Sequence, residues 1–220
     1  MHHASIVAVT KPLVTGVETA DDFVAYAARV SNPSNQANSE TAPRLVRYLR
    51  KNKHWSPFEM VHAVMEITTT RDIARQILRH RSFSFQEFSQ RYADPTQDLG
   101  FVTREARLQD LNNRQNSIDI TDDEALKDEW TDRQKAVLDT IERHYSWAIA
   151  NGIAKEQARA VLPEGMTVSR MYMAGSVRSW IHYCQLRMSN GTQREHRDVA
   201  TSAWYELTNI FPSLRDSLLD

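Results

Sequence analysis

MVHAVMEITTTRDIARQILRHRSFSFQEFSQRY, residues Met60 to Tyr92, divides into three pieces whose order decides the fold. Val61, Val64, Ile67 and the threonines 68–70 load Met60–Thr70 with β-branched residues, which favour a strand over a helix. From Arg71 to His80, Ile73, Ala74, Ile77 and Leu78 recur at spacings of three and four, the pattern of a helix with one apolar stripe. The chain beyond is expected to run extended as far as Tyr92.

Working outward, Ser5–Thr10 reads as a short strand, and Thr19-Ala20-Asp21-Asp22 offers a cap and early negative charge for a helix through about Val30. A second helix from Thr41 carries Leu45, Val46 and Leu49 and stops near Lys53. Asp94–Asp123 is polar and Asn-rich; it should be irregular surface with one short helix around Arg104–Leu111. The strongest helical pattern follows, Leu126 to Ala148, with Asn151-Gly152 as its stop. Helices are expected at Lys155–Val161, Val177–Met188 and Arg194–Ile210, and a strand at Met166–Ala174. Strands are few, and no strand-helix alternation repeats. The expectation is therefore α+β, a small, mostly antiparallel sheet packed with long helices, as a single domain over 1–220.

Composition excludes several classes. Hydrophobic residues make up 41% and charged residues 25% of 220, ordinary values for a folded chain with a sizeable core. Lys plus Arg number 27 against 28 Asp plus Glu, a net charge of -1, so no global field would gather nucleic acid or an anionic membrane. Ile6-Val7-Ala8-Val9 is too short for a signal or membrane segment, and a single cysteine suits a reducing compartment, so a cytoplasmic location is expected. With six glycines and neither GxGxxG nor GxxxxGK, a nucleotide would have to be held by side chains. No HExxH or Cys/His finger spacing suggests a metal site.

The chemistry concentrates after Arg71. Arg71, Arg75 and Arg79 share a helix face and repel, so they need partners; Asp72 is placed for Arg75 at i+3, with Asp22 or Glu18 as candidates in space. Taken alone this is a solvated, salt-bridged face. Arg79-His80-Arg81 changes the reading, because three consecutive cationic or potentially cationic groups point apart on any regular backbone and can surround an anion. Further on, Glu87, Ser89 and Arg91 alternate and would share one side of an extended segment. Arginine grips phosphate through paired charge-assisted hydrogen bonds and a serine hydroxyl adds a donor, whereas Glu87 would repel phosphate and is expected to orient an arginine or to accept from a sugar hydroxyl. Phe83, Phe85, Phe88 and Tyr92 interleave with these groups; such residues are more often core than ring-stacking platforms. Cys184 lies in the apolar stripe Val177, Trp180, Ile181, Cys184, Met188 and reads as packing, which counts against a thiolate nucleophile. His182 falls on the polar face with Arg178 and Gln185.

Arg79-His80-Arg81, seven residues, then Ser89-Gln90-Arg91-Tyr92 resembles the signature of the flavin-dependent thymidylate synthases at every fixed position. His54-Trp55-Ser56-Pro57-Phe58-Glu59 is similar to another family segment, and Ala158–Pro163 and Arg178–Arg187 to its later blocks. The resemblance implies FAD held by Ser56, Arg79, His80, Arg81, Glu87, Ser176, Val177, Arg178 and His182. It implies deoxyuridine monophosphate (dUMP) held by Gln76, Ile77, Leu78, Arg79, Glu87, Phe88, Ser89, Gln90, Arg91 and Arg159, with Ser89, Arg91 and Arg159 nearest the phosphate. Arg187 would sit beside the uracil and favour its ionised imide. NADPH as reductant, methylenetetrahydrofolate as carbon donor and a homotetramer with shared sites are implied in the same way. Two rivals remain at this point: a non-catalytic nucleotide- or RNA-binding platform built on the Arg/aromatic segment, and a helical oligomerisation protein using Leu126–Ala148.

Overall fold

The computed structural model describes residues 1–215. In chain order it contains β1 (His3–Val9), α1 (Ala20–Ala28), α2 (Ala42–Lys51), β2 (His62–Thr70), α3 (Arg71–Ile77), β3 (Ser84–Glu87) and α4 (Pro95–Asp98). Then follow β4 (Arg107–Gln109), β5 (Ser117–Asp119), α5 (Glu124–Ala150), α6 (Lys155–Ala158), β6 (Val168–Ser176), α7 (Val177–Arg187) and α8 (Arg194–Ile210). Short 3₁₀ turns occupy Ser56–Glu59 and Arg159–Val161, among others.

β2 is the centre of the architecture because its side chains alternate. Ala63, Met65, Ile67 and Thr69 are buried, while Val64, Glu66 and Thr68 occupy the half-exposed opposite face. Four strands pair antiparallel in the order β1-β2-β6-β3, with Met65 opposite Met173 and Ile67 opposite Met171. The buried face joins α3, α7 and α8 in one core that includes Ile73, Ile77, Trp180, Ile181, Val199 and Leu207. This is the α+β arrangement read from the sequence. β1 would be an exposed edge, but α8 covers it: Ser202 Oγ accepts from Ala4 N at 3.1 Å and donates to Ala4 O at 2.9 Å, and Glu206 accepts from Ile6 N.

The helix signals held where they rested on caps. Thr19 and Asp22 form a reciprocal capping box on α1. Gly152, at φ 76°, ends α5 with Ile153 N bonding Ala148 O and Gly152 N bonding Ile149 O. The short helix expected at Arg104–Leu111 is absent; β4 lies there and pairs with β5. Tertiary bonds hold that chain extended, since the Gln134 amide accepts from Arg104 N at 2.8 Å and donates to Arg104 O at 2.9 Å, as a neighbouring strand would. The Arg71–His80 helix also stops earlier than expected, at Ile77, which lets the backbone turn at His80.

Gly175 marks where β6 must approach the signature segment. A Cβ built there falls 2.7 Å from Phe83 Cε1 and closer still to Cδ1, inside a ring wedged against Trp180 and Tyr183. Gly175→Ala is therefore expected to destabilise the protein by about 1–3 kcal/mol through overpacking, measured as a lower denaturant midpoint at unchanged slope. An unchanged midpoint would show that the Phe83 ring yields freely.

Candidate active site

Three clusters contain most of the residues singled out by sequence. The first lies where α3, the end of β3 and the Arg159–Val161 turn meet, around a cleft of about 370 Å³ lined by Arg71, Arg75, Gln90, Glu156, Arg159 and Glu164, among others. Glu87 stands behind it: its carboxylate lies 3.5 Å from both Arg71 Nη1 and Arg75 Nη1 and accepts from Ser169 Oγ at 2.9 Å. Glu164 approaches the other side of the same two guanidiniums, at 4.0 and 3.7 Å. The helix-face repulsion is thus relieved by Glu87 and Glu164. Asp72, expected to serve Arg75, instead accepts from Arg104 Nη2 at 2.6 Å and from Thr70 Oγ1 at 2.6 Å, while its N–H bonds the Glu164 carbonyl. The suggestion that Glu87 orients an arginine matches this geometry.

The Glu87, Ser89, Arg91 alternation does not survive. β3 ends at Glu87, and Ser89–Tyr92 folds into a turn in which Tyr92 N and Ala93 N bond Ser89 O at 3.1 Å and Arg91 N approaches Ser89 Oγ. A hydroxyl that can bond its own local backbone competes with strand pairing. The turn nevertheless brings Arg91 to Glu156 at 3.6 Å, beside Arg159, whose Nε donates to Glu156 O. Gln90 becomes buried, and its Nε2 has no partner within the chain.

The second cluster joins α3, α7 and α8. Arg187 Nε donates to His80 Nε2 at 2.9 Å, so His80 must accept there and carry its proton on Nδ1. Burial first, then the Arg187 and Arg79 charges, lower the His80 pKa to about 4 and keep the ring neutral. The ring packs edge-on against Tyr183, 4.9 Å away. Ile77 is wholly buried and Leu78 is partly buried against the core, so both side chains serve packing. Arg79 and Arg81 project outward; neither they nor Arg159 and Arg187 have a carboxylate within ion-pair distance among the described residues.

The third cluster forms at the start of α7. Ser176 caps the helix, accepting from Ser179 N, and donates to Glu59 at 2.5 Å; Arg178 Nη1 donates to the other Glu59 oxygen at 2.5 Å. These bonds, Arg178's first and Ser176's second, hold the Glu59 carboxyl below its ordinary range. Val177 is buried and its N–H bonds Val61 O, which anchors the turn. His182 meets the edge of Trp55 at 4.7 Å, with Ser56 exposed next to it. The Arg178 Nε is buried and lacks a partner within the chain. Phe88 bonds Arg170 O through its N–H, continuing the sheet by one residue.

Sequence reasoning missed Trp55, Glu59, Tyr183, Glu164 and His196. Nothing in the local pattern of Pro163-Glu164-Gly165 signals an ion partner for α3; only the β2–β6 pairing places it there. Cys184 is wholly buried, and burial raises its thiol pKa, the opposite of what an activated nucleophile needs. Among the described residues no helix is long and apolar enough to cross a membrane, and no group of three or more His, Cys, Asp or Glu is placed to hold a metal.

Against this geometry the comparisons are concordant. The family model for the thymidylate synthase complementing protein matches residues 12–213. A probable flavin-dependent thymidylate synthase of Paramecium bursaria Chlorella virus 1 is 47% identical over 215 residues, 98% of each chain. The flavin-dependent thymidylate synthase of Synechocystis is 48% identical over 198 residues, 90% of this chain and 89% of the relative. The UMP/dUMP methylase PolB from Streptomyces cacaoi, solved with 5-Br UMP, superposes with a TM-score of 0.81 at 24% identity, covering 100% of this chain and 94% of that one, and supports the fold. A match of this extent means that the chain belongs to the thymidylate synthase complementing protein family, the flavin-dependent thymidylate synthases.

Proposed function

We propose that this protein methylates dUMP to dTMP, with FAD as its cofactor, NADPH as reductant and methylenetetrahydrofolate as the carbon source. The observation that carries the reading is Gln90 Nε2, a buried donor without a partner, in the cleft of Arg71, Arg75 and Arg159. A buried amide with no partner within the chain can serve an acceptor that arrives with a ligand, and the guanidiniums beside it suit a phosphate. Arg71 and Arg75 are pinned by Glu87 and Glu164, and Arg159 supplies unneutralised charge, with Arg91 at the rim.

The FAD assignment is supported by the outward, carboxylate-free Arg79 and Arg81, which suit a diphosphate, and by the orphaned Arg178 Nε beside Trp55 and His182. FAD, when bound, supplies the hydride chemistry. The protein's own part is to hold the nucleotide by its phosphate and to set Arg187 where negative charge develops on the uracil. Cys184 takes no part.

We also propose a homotetramer with sites shared between subunits, in the cytoplasm. Of the 27 residues of α5 only Gln134, Tyr145 and Ala148 are buried, while Leu126, Trp130, Val137 and Trp147 are 41–60% exposed. Such a helix demands a covering surface. Light scattering should give four chain masses; a monomer at micromolar concentration would remove the shared-site reading.

The direct test of function has two parts. The purified protein, reconstituted with flavin, should show bound-flavin absorption and release the hydrogen on carbon five of dUMP with NADPH and the folate present. Arg159→Ala should raise the dUMP dissociation constant by about 10- to 100-fold, the scale of a charged hydrogen bond. Unchanged affinity would place the phosphate elsewhere.

A further inference from the structure

Tyr183, His196, Gln76, Gln193, Glu195 and Arg107 form a continuous hydrogen-bonded chain that passes from α7 through α8 and α3 to β4. His196 is wholly buried, with Nε2 3.1 Å from Tyr183 Oη and Nδ1 3.2 Å from Gln76 Oε1. Gln76 Nε2 donates to Gln193 Oε1 at 2.8 Å, Gln193 Nε2 donates to Glu195 Oε2 at 2.9 Å, and Arg107 Nη2 pairs with Glu195 Oε1.

The far end dictates the direction of every bond. Glu195 is buried at a cost to its charge, yet a backbone hydrogen bond and the Arg107 guanidinium hold its pKa below the ordinary value, so it is a pure acceptor. Gln193 must then present its amide N–H to Glu195 and its carbonyl to Gln76. Gln76 must donate to that carbonyl, which turns its own Oε1 toward His196. His196 must carry its proton on Nδ1, leaving Nε2 to accept from the Tyr183 hydroxyl. Reversing any one link sets two donors or two acceptors face to face in a buried site, and each such clash leaves a polar group unsatisfied.

We propose that His196 is a positioning residue: with the Arg107–Glu195 pair it locks the Gln76 amide in one of its two orientations, leaving a single Nε2 hydrogen free for an acceptor on the bound nucleotide. This rests on the dUMP reading above, in which Gln76 contacts the substrate. It also assigns a task to the polar segment 94–123, which delivers Arg107 to the end of the chain through β4. The Gln76 amide has no other fixed restraint, since it sits in the last turn of the seven-residue α3.

The test uses the flavin-loaded full chain with ¹⁵N-labelled histidine. The His196 signals, assigned by their loss in His196→Asn, should show a protonated Nδ1 and a bare Nε2. Glu195→Gln removes the fixed acceptor, so both tautomers should become populated and the dUMP dissociation constant should rise about tenfold, within the range of coupled neighbours. His196→Asn should weaken dUMP similarly, and the double variant should bind no worse than either single one. A wild-type ring protonated on Nε2, a tautomer and affinity indifferent to Glu195→Gln, or additive losses in the double variant would each overturn the proposal. The tautomer is read without nucleotide, so wild-type protein that shows the locked ring but binds no dUMP would defeat the functional reading and the nucleotide contact with it, whereas an unlocked ring would defeat the positioning role alone.

Discussion

Arg187→Ala should keep its flavin and lose turnover by about 10²- to 10³-fold, the effect of deleting one preorganised donor from a developing anion. The reason lies in how Arg187 is held. Its Nε donates to His80, a ring kept neutral by burial and by the Arg187 and Arg79 charges, so the guanidinium is steered without being neutralised. No carboxylate reaches it, and its full charge is available to the uracil imide. Arg187→Lys should not rescue, because an ammonium has neither the Nε donor nor the planar fork. Single-turnover release of the carbon-five hydrogen, with flavin absorption as the control for cofactor loss, decides the matter. Turnover within threefold of the wild type, with flavin retained, would remove Arg187 from the chemistry.

Glu87→Gln should be the most destabilising change at the site. It is isosteric and keeps an acceptor for Ser169, but it removes the charge between Arg71 and Arg75. Arg71 is nearly buried, and burial already lowers its pKa, with Glu87 the largest opposing influence. Breaking a buried pair by neutralising one partner costs about 3 kcal/mol, or roughly 6–12 °C in Tm for a chain of this size. Glu164, at 4.0 Å and half exposed, can offset only part of the loss. Calorimetry of the variant is the measurement. A Tm within 2 °C of the wild type would mean that Glu164 and solvent suffice for both arginines.

Much of this was legible in the sequence, for physical reasons that differ by element. β2 and α3 could be read because a single face of each is buried, so their periodicity survives in the residue order. Caps at Thr19 and Gly152 could be read because their bonds are local. Arg104–Leu111 was misread because a side chain from a distant helix, Gln134, supplies the backbone partners there. Of the signature, Gln90 lines the anion cleft and Arg91 reaches only the neighbouring Glu156, while Arg79 and Arg81 project elsewhere; the extended geometry assumed for Ser89 and Arg91 was wrong, and a turn stands in its place. Arg71 and Arg75 looked like a solvated face because their counter-ions come from β3 and from the loop before β6, distant in the chain. His196 carried no signal at all, since a histidine on the buried side of a helix has the same one-letter context as one in solvent.

The two neutral imidazoles near the site have an outcome in acid. Folded, His80 titrates at about 4 and His196 at about 3, both below the 6.5 of an unfolded chain. As pH falls past 6.5 the denatured ensemble takes up protons that the native state refuses, so the equilibrium tilts steadily towards unfolding until the folded values are reached. These two buried imidazoles therefore begin to cost the fold stability below pH 6.5, before the ordinary carboxylates give up their charge.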